Sequence, residues 1–332
     1  MPSTVKARLT GLGSYLPAKV LSNHDLEKLI ETSDEWITSR TGIKERRIAN
    51  SRETPSHMGT EAALIAIEAA HLTVADIGLI LVATSTPDYR VPATATLIQS
   101  QLKATNIPAF DIQAACTGYI YALSIAKAYV ESGMYNHILV VATEKMSSIT
   151  NYEDRNTCIL FGDGASAAVV SSKGKGLSIE TISLGADGDC AHLIQIPAGG
   201  AKEPITELSL EKKHQYLKME GKTTFKHAVR RMDNAIDECF KKSHIKEDEI
   251  SWIVPHQANI RILEALAEYT HHSMDKVYKT IHKYGNTSAS SIGIALDELM
   301  QQEHIKHGEH LLLVAFGAGL TWGAAILTKQ SH

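Results

Sequence analysis

No stretch of this sequence is apolar for long enough to cross a bilayer. The longest runs, such as Ile77 to Ala83, fall far short of the ~20 residues a membrane helix needs. Cysteine is scarce: Cys116, Cys158, Cys190 and Cys239 lie far apart, with no Cys-x-x-Cys pair and no His-Cys cluster. That argues against a zinc motif and against a disulfide framework, so any reactive thiol must act alone. Nor is there an excess of positive charge. The 33 Lys and Arg against 37 Asp and Glu leave a net charge of −4, which gives no support for nucleic-acid binding. Met1 to Lys6 lacks the charged-then-apolar pattern of a signal peptide, which predicts a cytoplasmic protein. What is there is the composition of a globular chain, 332 residues with 44% hydrophobic and 21% charged, long enough for two domains or one large one.

The chain repeats itself at one constant offset. Ala75 to Val82 matches Asp248 to Pro255, Ala122-Leu123 matches Ala295-Leu296, and His137 to Ala142 matches His310 to Ala315, each pair 173 residues apart. A Phe-Gly pair follows each last strand, directly at Phe316-Gly317 and after an excursion at Phe161-Gly162. Each half contains a helix, a strand, a loop, a second helix (Gly118 to Glu131; Ser290 to Gln302) and a second strand. The strands are continuous Val/Ile/Leu runs, as in sheets covered on both faces by crossover helices. The expectation is an α/β protein of two similar halves, 1–173 and 174–332, packed about a pseudo-twofold axis.

Within that frame Cys116 stands out. It sits where a strand-like run (Ile107 to Ile112) gives way to a helix starting near Gly118. A strand end aims the thiol into a cleft, and the positive end of the helix favours thiolate. A lone cysteine is more often simple packing, but the duplication adds partners. Cys116 corresponds to Ala289, beside Asn286, and His256 follows the strand that matches Ile77 to Val82. Ligands of α/β sheets bind at such strand ends, which predicts Cys116, His256 and Asn286 in one pocket. A Cys, a His and an Asn serve two chemistries. In a hydrolase the His is a base oriented by the Asn. In a carbon–carbon condensing enzyme the Cys carries an acyl group, while His and Asn donate hydrogen bonds that stabilise an enolate.

Ala115-Cys116, Val254-Pro255-His256-Gln257-Ala258-Asn259, Gly285 to Ser290 and Phe316-Gly317-Ala318-Gly319-Leu320-Thr321-Trp322-Gly323 resemble the signatures of the 3-oxoacyl-[acyl-carrier-protein] synthase III family. These are the initiating condensing enzymes of type II fatty acid synthesis, and the resemblance runs from Gly11 to the C-terminus. It implies a thiolase-like, five-layered αβαβα fold and a homodimer, with no metal or redox cofactor. It implies that Cys116 takes the acyl group of acyl-CoA, acetyl or somewhat longer. His256 and Asn286 then promote decarboxylation of malonyl-acyl carrier protein, and the carbanion attacks the thioester. The oxyanion would rest on the N–H groups of Cys116 and Ala318. Elongating relatives use two His beside the Cys, where this chain has Asn286. Biosynthetic thiolases carry a second Cys in the C-terminal glycine loop, and Ala315 to Gly323 has none. A secondary-metabolite condensing enzyme or acyltransferase of the same fold, and a Cys-His-Asn thioester hydrolase, are the alternatives.

The resemblance also implies the substrate contacts. Trp36 and Arg40, four apart on a short helix, can hold an adenine between indole and guanidinium planes. Thr32 would contact its edge and Arg155 the phosphates of CoA, with Phe225 and Asn259 along the pantetheine tunnel. Lys222, Lys226 and Arg230 form a basic stripe if helical. Lys226, Gln257 and Arg261 match positions of carrier-protein docking. Glu268 and Tyr269 stand near positions where well-known relatives carry lysines. Pro87 to Pro92 resembles the segment that reaches across the dimer and closes the partner's acyl pocket. Val91 stands there in place of an aromatic residue, which predicts room for primers longer than acetyl.

Overall fold

The structure is a computed structural model that describes residues 5–302 and 305–330; Met1 to Thr4, part of the segment read for a signal peptide, lie outside them. Nine strands carry the fold. They are β1 (Arg8–Tyr15), β2 (Leu79–Ala83), β3 (Ala109–Ile112), β4 (His137–Lys145), β5 (Asp163–Ser171), β6 (Leu177–Ala186), β7 (Ile250–Pro255), β8 (His310–Gly317) and β9 (Thr321–Lys329). Among the described residues they run in the order β7-β8-β9-β6-β1-β5-β4-β2-β3.

The duplication holds at the level of single backbone pairs. β2 pairs β4 in parallel with Leu79 opposite Ile138 and Val82 opposite Val141. At the same offset β7 pairs β8 in parallel, Trp252 opposite Leu311 and Pro255 opposite Val314. β4 and β5 then pair antiparallel, as do β8 and β9. The isolated parallel bridge of Ile253 to Val277 repeats the pairing of Ile80 with Ala109. Since a slip of one residue would turn every side chain to the opposite face, equal registers mean equal inward faces. The division expected at residue 173 falls in the turn between β5 and β6. One difference from the expectation of two separate sheets is that β1 and β6 meet through Arg8 with Ser178 and Leu9 with Leu177. Both are edge strands of their halves, and antiparallel contact satisfies backbone groups that a free edge would leave unpaired.

The layers follow from which helices touch which strands. The middle layer is formed by α3 (Gly118–Glu131) and α6 (Ser290–Gln302), if α1 is Asp34–Thr41, α2 Pro55–Ala69, α4 Gly221–Ser243 and α5 Ile260–Tyr269. α3 contacts β2, β4 and β5 of one half and β6, β8 and β9 of the other, while α6 contacts β1, β4 and β5 as well as β7. Helices covered on both sides are apolar or small all round, and α6 is buried from Ser290 through Asp297. Gly293 permits the close approach: a Cβ there would lie 2.2 Å from Ser166 Oγ. α2 covers the outer face of the first sheet, and α4 and α5 that of the second. Outer helix, sheet, central helices, sheet and outer helices make five layers. The starts of α3 and α6 and the ends of β7 and β8 therefore meet at one end of the molecule.

Candidate active site

Cys116, His256, Asn286 and Ala318 line one cavity of about 1240 Å³, together with Trp36 and Phe225. Cys116 sits in a tight turn, Ala115–Thr117, that leads into α3. Ala115 holds φ at +46°, a left-handed conformation that costs a non-glycine residue energy and is found where surroundings enforce it. The enforcement is visible. Thr117 Oγ1 donates to Ala114 O at 2.5 Å and meets Thr321 Oγ1 at 2.6 Å, and Thr321 Oγ1 also reaches Ala318 O at 3.0 Å. These bonds fasten the cysteine turn to the loop Gly317-Ala318-Gly319. Glycine is required in that loop because a Cβ at Gly317 would lie 2.8 Å from Cys116 N and 3.2 Å from Cys116 Cβ.

The hydrogen-bonding neighbour of the thiol is Ser288, not His256. Cys116 Sγ lies 3.5 Å from Ser288 Oγ, and Ser288 Oγ donates to Glu144 Oε1 at 3.0 Å. Burial pushes the thiol up to about 11, the Glu144 charge adding to the effect and the Ser288 bond opposing it. The helix end that favours thiolate is therefore outweighed by desolvation, and the resting sulfur keeps its proton. Neither Ser288 nor Glu144 was singled out in the sequence. A glutamate near the end of a strand that is apolar from Ile138 to Ala142 was the signal for the latter, since a carboxyl so placed needs partners.

His256 is buried, its N–H held by Val314 O at 2.8 Å. Its Nδ1 lies 2.7 Å from Ser291 Oγ, which in turn accepts the Gln257 N–H at 3.3 Å. A Ser291 hydroxyl that accepts from Gln257 can turn its own proton to Nδ1, an arrangement that suits a ring proton on Nε2. Burial pulls the imidazole down to about 4, which keeps it neutral. Asn286 is fixed likewise. Its Oδ1 accepts the Ser288 N–H at 2.8 Å, while its backbone bonds to Leu160 O and takes the Gly162 N–H. The amide's remaining group is the NH₂. Neutral His256 and Asn286 thus both have hydrogens to donate, which suits a developing enolate rather than abstraction of a thiol proton.

At the cavity mouth Trp36 projects from α1, whose start is capped by Ser33 and whose end is closed by Gly42 at φ +77°. Arg155, expected at the phosphates, lies over the indole with its guanidinium 4.0 Å from the ring centre, nearer than Arg40 at 4.7 Å. Arg155 arrives there because the connection between β4 and β5, Met146 to Gly162, is long, whereas Ala318 to Leu320 suffices between β8 and β9. Thr32 Oγ1 is buried beside this helix without a hydrogen-bond partner. Lys222, Phe225, Lys226, Asn259 and Arg261 all line the same cavity. The basic stripe is helical within α4, with Lys222, Lys226 and Arg230 exposed.

Two expectations fare differently. Gln257, expected at the carrier protein, is fully buried: its Nε2 donates to Pro255 O and Tyr278 O and its Oε1 accepts from Thr280 and Ile281 N–H. All its hydrogen bonds are internal, so it braces the loop and presents no surface to a partner. Val91 is 86% exposed and does not line this chain's cavity. Cys158, Cys190 and Cys239 are free thiols, the first and last buried. Among the described residues no helix is long and apolar enough to cross a membrane, and no three His, Cys, Asp or Glu side chains converge as metal ligands would.

The family models and the curated relatives point to one family. A family model described as 3-oxoacyl-[acyl-carrier-protein (ACP)] synthase III matches residues 110–188, and one described as its C terminal matches residues 240–329. A beta-ketoacyl-[acyl-carrier-protein] synthase III from Chlamydia muridarum is 54% identical over 327 residues, 98% of this chain and 100% of that protein. A protein of the same name from Caldanaerobacter subterraneus is 48% identical, covering 98% of this chain and 99% of its own length. The crystal structure of 3-oxoacyl-[acyl-carrier-protein] synthase III from Aquifex aeolicus superposes with a TM-score of 0.89 at 45% identity, over 97% of this chain and 99% of that one.

Proposed function

The chain belongs to the 3-oxoacyl-[acyl-carrier-protein] synthase III family, the initiating condensing enzymes of type II fatty acid biosynthesis, and on that premise we propose how its own residues carry out the reaction. Cys116 attacks the acyl carbonyl of acyl-CoA, CoA leaves, and the acyl group stays on sulfur. Malonyl-acyl carrier protein follows through the same mouth. His256 Nε2–H and the Asn286 amide hold the malonyl thioester oxygen as carbon dioxide departs. The enolate carbon attacks the Cys116 thioester, and 3-oxoacyl-carrier protein is released. In both tetrahedral stages the oxyanion sits on the Cys116 and Ala318 N–H groups, an arrangement of preorganised donors.

The observation that carries this reading is the donor set. The thiol is bonded to Ser288 and not to His256, and both His256 and Asn286 have hydrogens to offer. A Cys-His-Asn hydrolase needs the opposite, an imidazole nitrogen accepting from sulfur. For substrate binding, Trp36 with Arg40 and Arg155 would take the adenine of CoA, with Thr32 at its edge. Phe225 and Asn259 would line the pantetheine path, and Lys226 and Arg261 would meet the acidic carrier protein. The working unit is a homodimer in which the segment around Val91 closes the partner's acyl pocket. Four unpaired thiols suit a reducing cytoplasm.

The test is a graded panel of acyl-CoAs, with the adduct located by peptide mass spectrometry before malonyl-acyl carrier protein is added. An adduct on Cys116 that is consumed to 3-oxoacyl-carrier protein is expected. Release of free acid without malonyl substrate would put a hydrolase in its place, and turnover without a carrier protein would favour the secondary-metabolite alternative.

A further inference from the structure

Glu144 is fully buried at the end of β4, with none of its exposure left to solvent. Its carboxylate accepts from Thr86 Oγ1 at 2.7 Å, the Ser85 N–H at 3.1 Å, Thr84 Oγ1 at 3.4 Å and Ser288 Oγ at 3.0 Å. The other titratable group facing it is Cys116, on the far side of Ser288. Neighbouring Lys145 points away, its Nζ on Asn50 O and Glu53 O. Among the described residues no cation therefore neutralises a carboxyl that is nonetheless connected, through one hydroxyl, to the sulfur. Ser288 is pinned for this task at φ +52° by its N–H bond to Asn286 Oδ1.

Resting on the reading of Cys116 as acyl acceptor, we propose that Glu144 is the proton acceptor of a Cys116–Ser288–Glu144 relay. As Sγ bonds to the acyl carbon, the Sγ proton passes to Ser288 Oγ and the Ser288 hydroxyl proton to the Glu144 carboxylate. The carbon–sulfur bond to CoA then breaks, and the CoA thiolate takes a proton from water. In the second half-reaction the enolate carbon displaces Cys116 Sγ, and the departing thiolate recovers its proton from Glu144 through Ser288. The cycle consumes one proton from solvent, the one that ends on CoA. Glu144 touches no substrate and is a positioning residue acting through Ser288. Burial raises its carboxyl to about 7, which places its protonated and ionised forms within reach of each other at neutral pH.

The experiment follows acylation of Cys116 by intact mass after rapid quenching, across pH. In the native enzyme the rate should rise through one ionisation between about pH 6 and 8 and then level. Glu144→Gln should acylate about 100-fold more slowly at neutral pH, without that ionisation, its rate climbing with hydroxide instead. Ser288→Ala should match it, and Glu144→Asp should regain part of both rate and profile. Should either variant not fold, a proton inventory of native acylation in mixed light and heavy water decides: a curved plot means two protons in flight and a linear one overturns the relay. An unchanged pH profile in Glu144→Gln also overturns the relay while leaving the acyl-enzyme intact. Failure of the native enzyme to acylate Cys116 at all removes the reading on which the relay rests.

Discussion

The Ser291 hydroxyl lies 2.7 Å from Nδ1 of His256 while taking the Gln257 N–H at 3.3 Å. One side chain is thereby placed to favour the tautomer with its proton on Nε2. Ser291→Ala frees the ring to place its proton on Nδ1 and lose the Nε2 donor. Decarboxylation of malonyl-acyl carrier protein should slow by about tenfold to a hundredfold, with the KM for malonyl-acyl carrier protein changed much less. His256→Ala should cost about 10² to 10³ in the same step. Equal rates in Ser291→Ala and the native enzyme would mean that the tautomer is set elsewhere.

Stability should vary with pH through two buried groups of opposite sign. The His256 imidazole, pulled down to about 4 from 6.5, is neutral in the fold while the unfolded chain still binds a proton. Its contribution is present above pH 6.5 and lost as pH falls to about 4. The Glu144 carboxyl, raised to about 7 from 4.5, binds a proton in the fold that the unfolded chain has released. Its contribution is present below pH 4.5 and lost as pH rises to about 7. Each spans about 3 kcal/mol at ~1.4 kcal/mol per unit, so across pH 4.5 to 6.5 the two slopes oppose each other. Denaturant midpoints across this window should therefore gain a positive slope relative to the native protein in Glu144→Gln and a negative one in His256→Ala. Parallel curves for all three would contradict the assignment of either group as buried and ionisable.

How far these groups could be read from sequence depends on the distance over which they act. The offset of 173 was legible because paired strands must keep the same inward faces, and it returned as identical registers at Leu79 with Ile138 and Trp252 with Leu311. The helices Gly118–Glu131 and Ser290–Gln302 were legible as the second helix of each repeated half. Polar contacts between elements were not. Ser288 and Glu144 are 144 residues apart and meet only because the middle layer places the start of α6 beside the end of β4. Gln257 was placed at the carrier protein by resemblance alone, and only the structure shows four internal partners for its amide. The placement of Arg155 required the path of a long connection, which no local pattern encodes.

Gly317 lies against the cysteine turn so closely that its replacement tests the oxyanion site directly. With a Cβ 2.8 Å from Cys116 N, Gly317→Ala must push the Ala318 loop and the cysteine turn apart. Loss of one donor of such a site costs about 10² to 10³ in kcat. Both half-reactions should fall together, since each passes through a tetrahedral oxyanion. A drop confined to condensation would place the loop elsewhere in the mechanism.

At the mouth, the proposed adenine site has the Trp36 indole on one side and a guanidinium that already lies 4.0 Å from it on the other. Arg155→Ala removes one wall of that stack and Trp36→Ala the other. Stacking of a base on an aromatic ring is worth about 1 to 3 kcal/mol. Trp36→Ala should therefore raise the KM for acyl-CoA roughly 5-fold to 100-fold, leaving the KM for malonyl-acyl carrier protein nearly unchanged. The ratio of the two KM values is the readout. A parallel rise in both would show a distorted mouth instead of a lost nucleotide contact.

Val91 offers the test of primer length. It is 86% exposed in the single chain, in a segment where neighbouring Tyr89 is also 60% exposed, as expected of side chains that a second protomer covers. In the proposed dimer, a valine closing the partner's acyl pocket would leave more space than an aromatic ring. Val91→Phe should fill it and move the kcat/KM preference toward acetyl-CoA. One methylene in an apolar pocket is worth about 1 to 3 kcal/mol, so the ratio of acetyl to a longer acyl primer should change at least about fivefold. On the proposed dimer, in which this side chain would act on the partner's site, mixed dimers of native and Cys116→Ala, Val91→Phe protomers give a further prediction. The native Cys116 in such a dimer faces the bulky Phe and should show the narrowed preference in full. An unchanged chain-length profile in the uniform Val91→Phe dimer would mean that another segment closes the pocket.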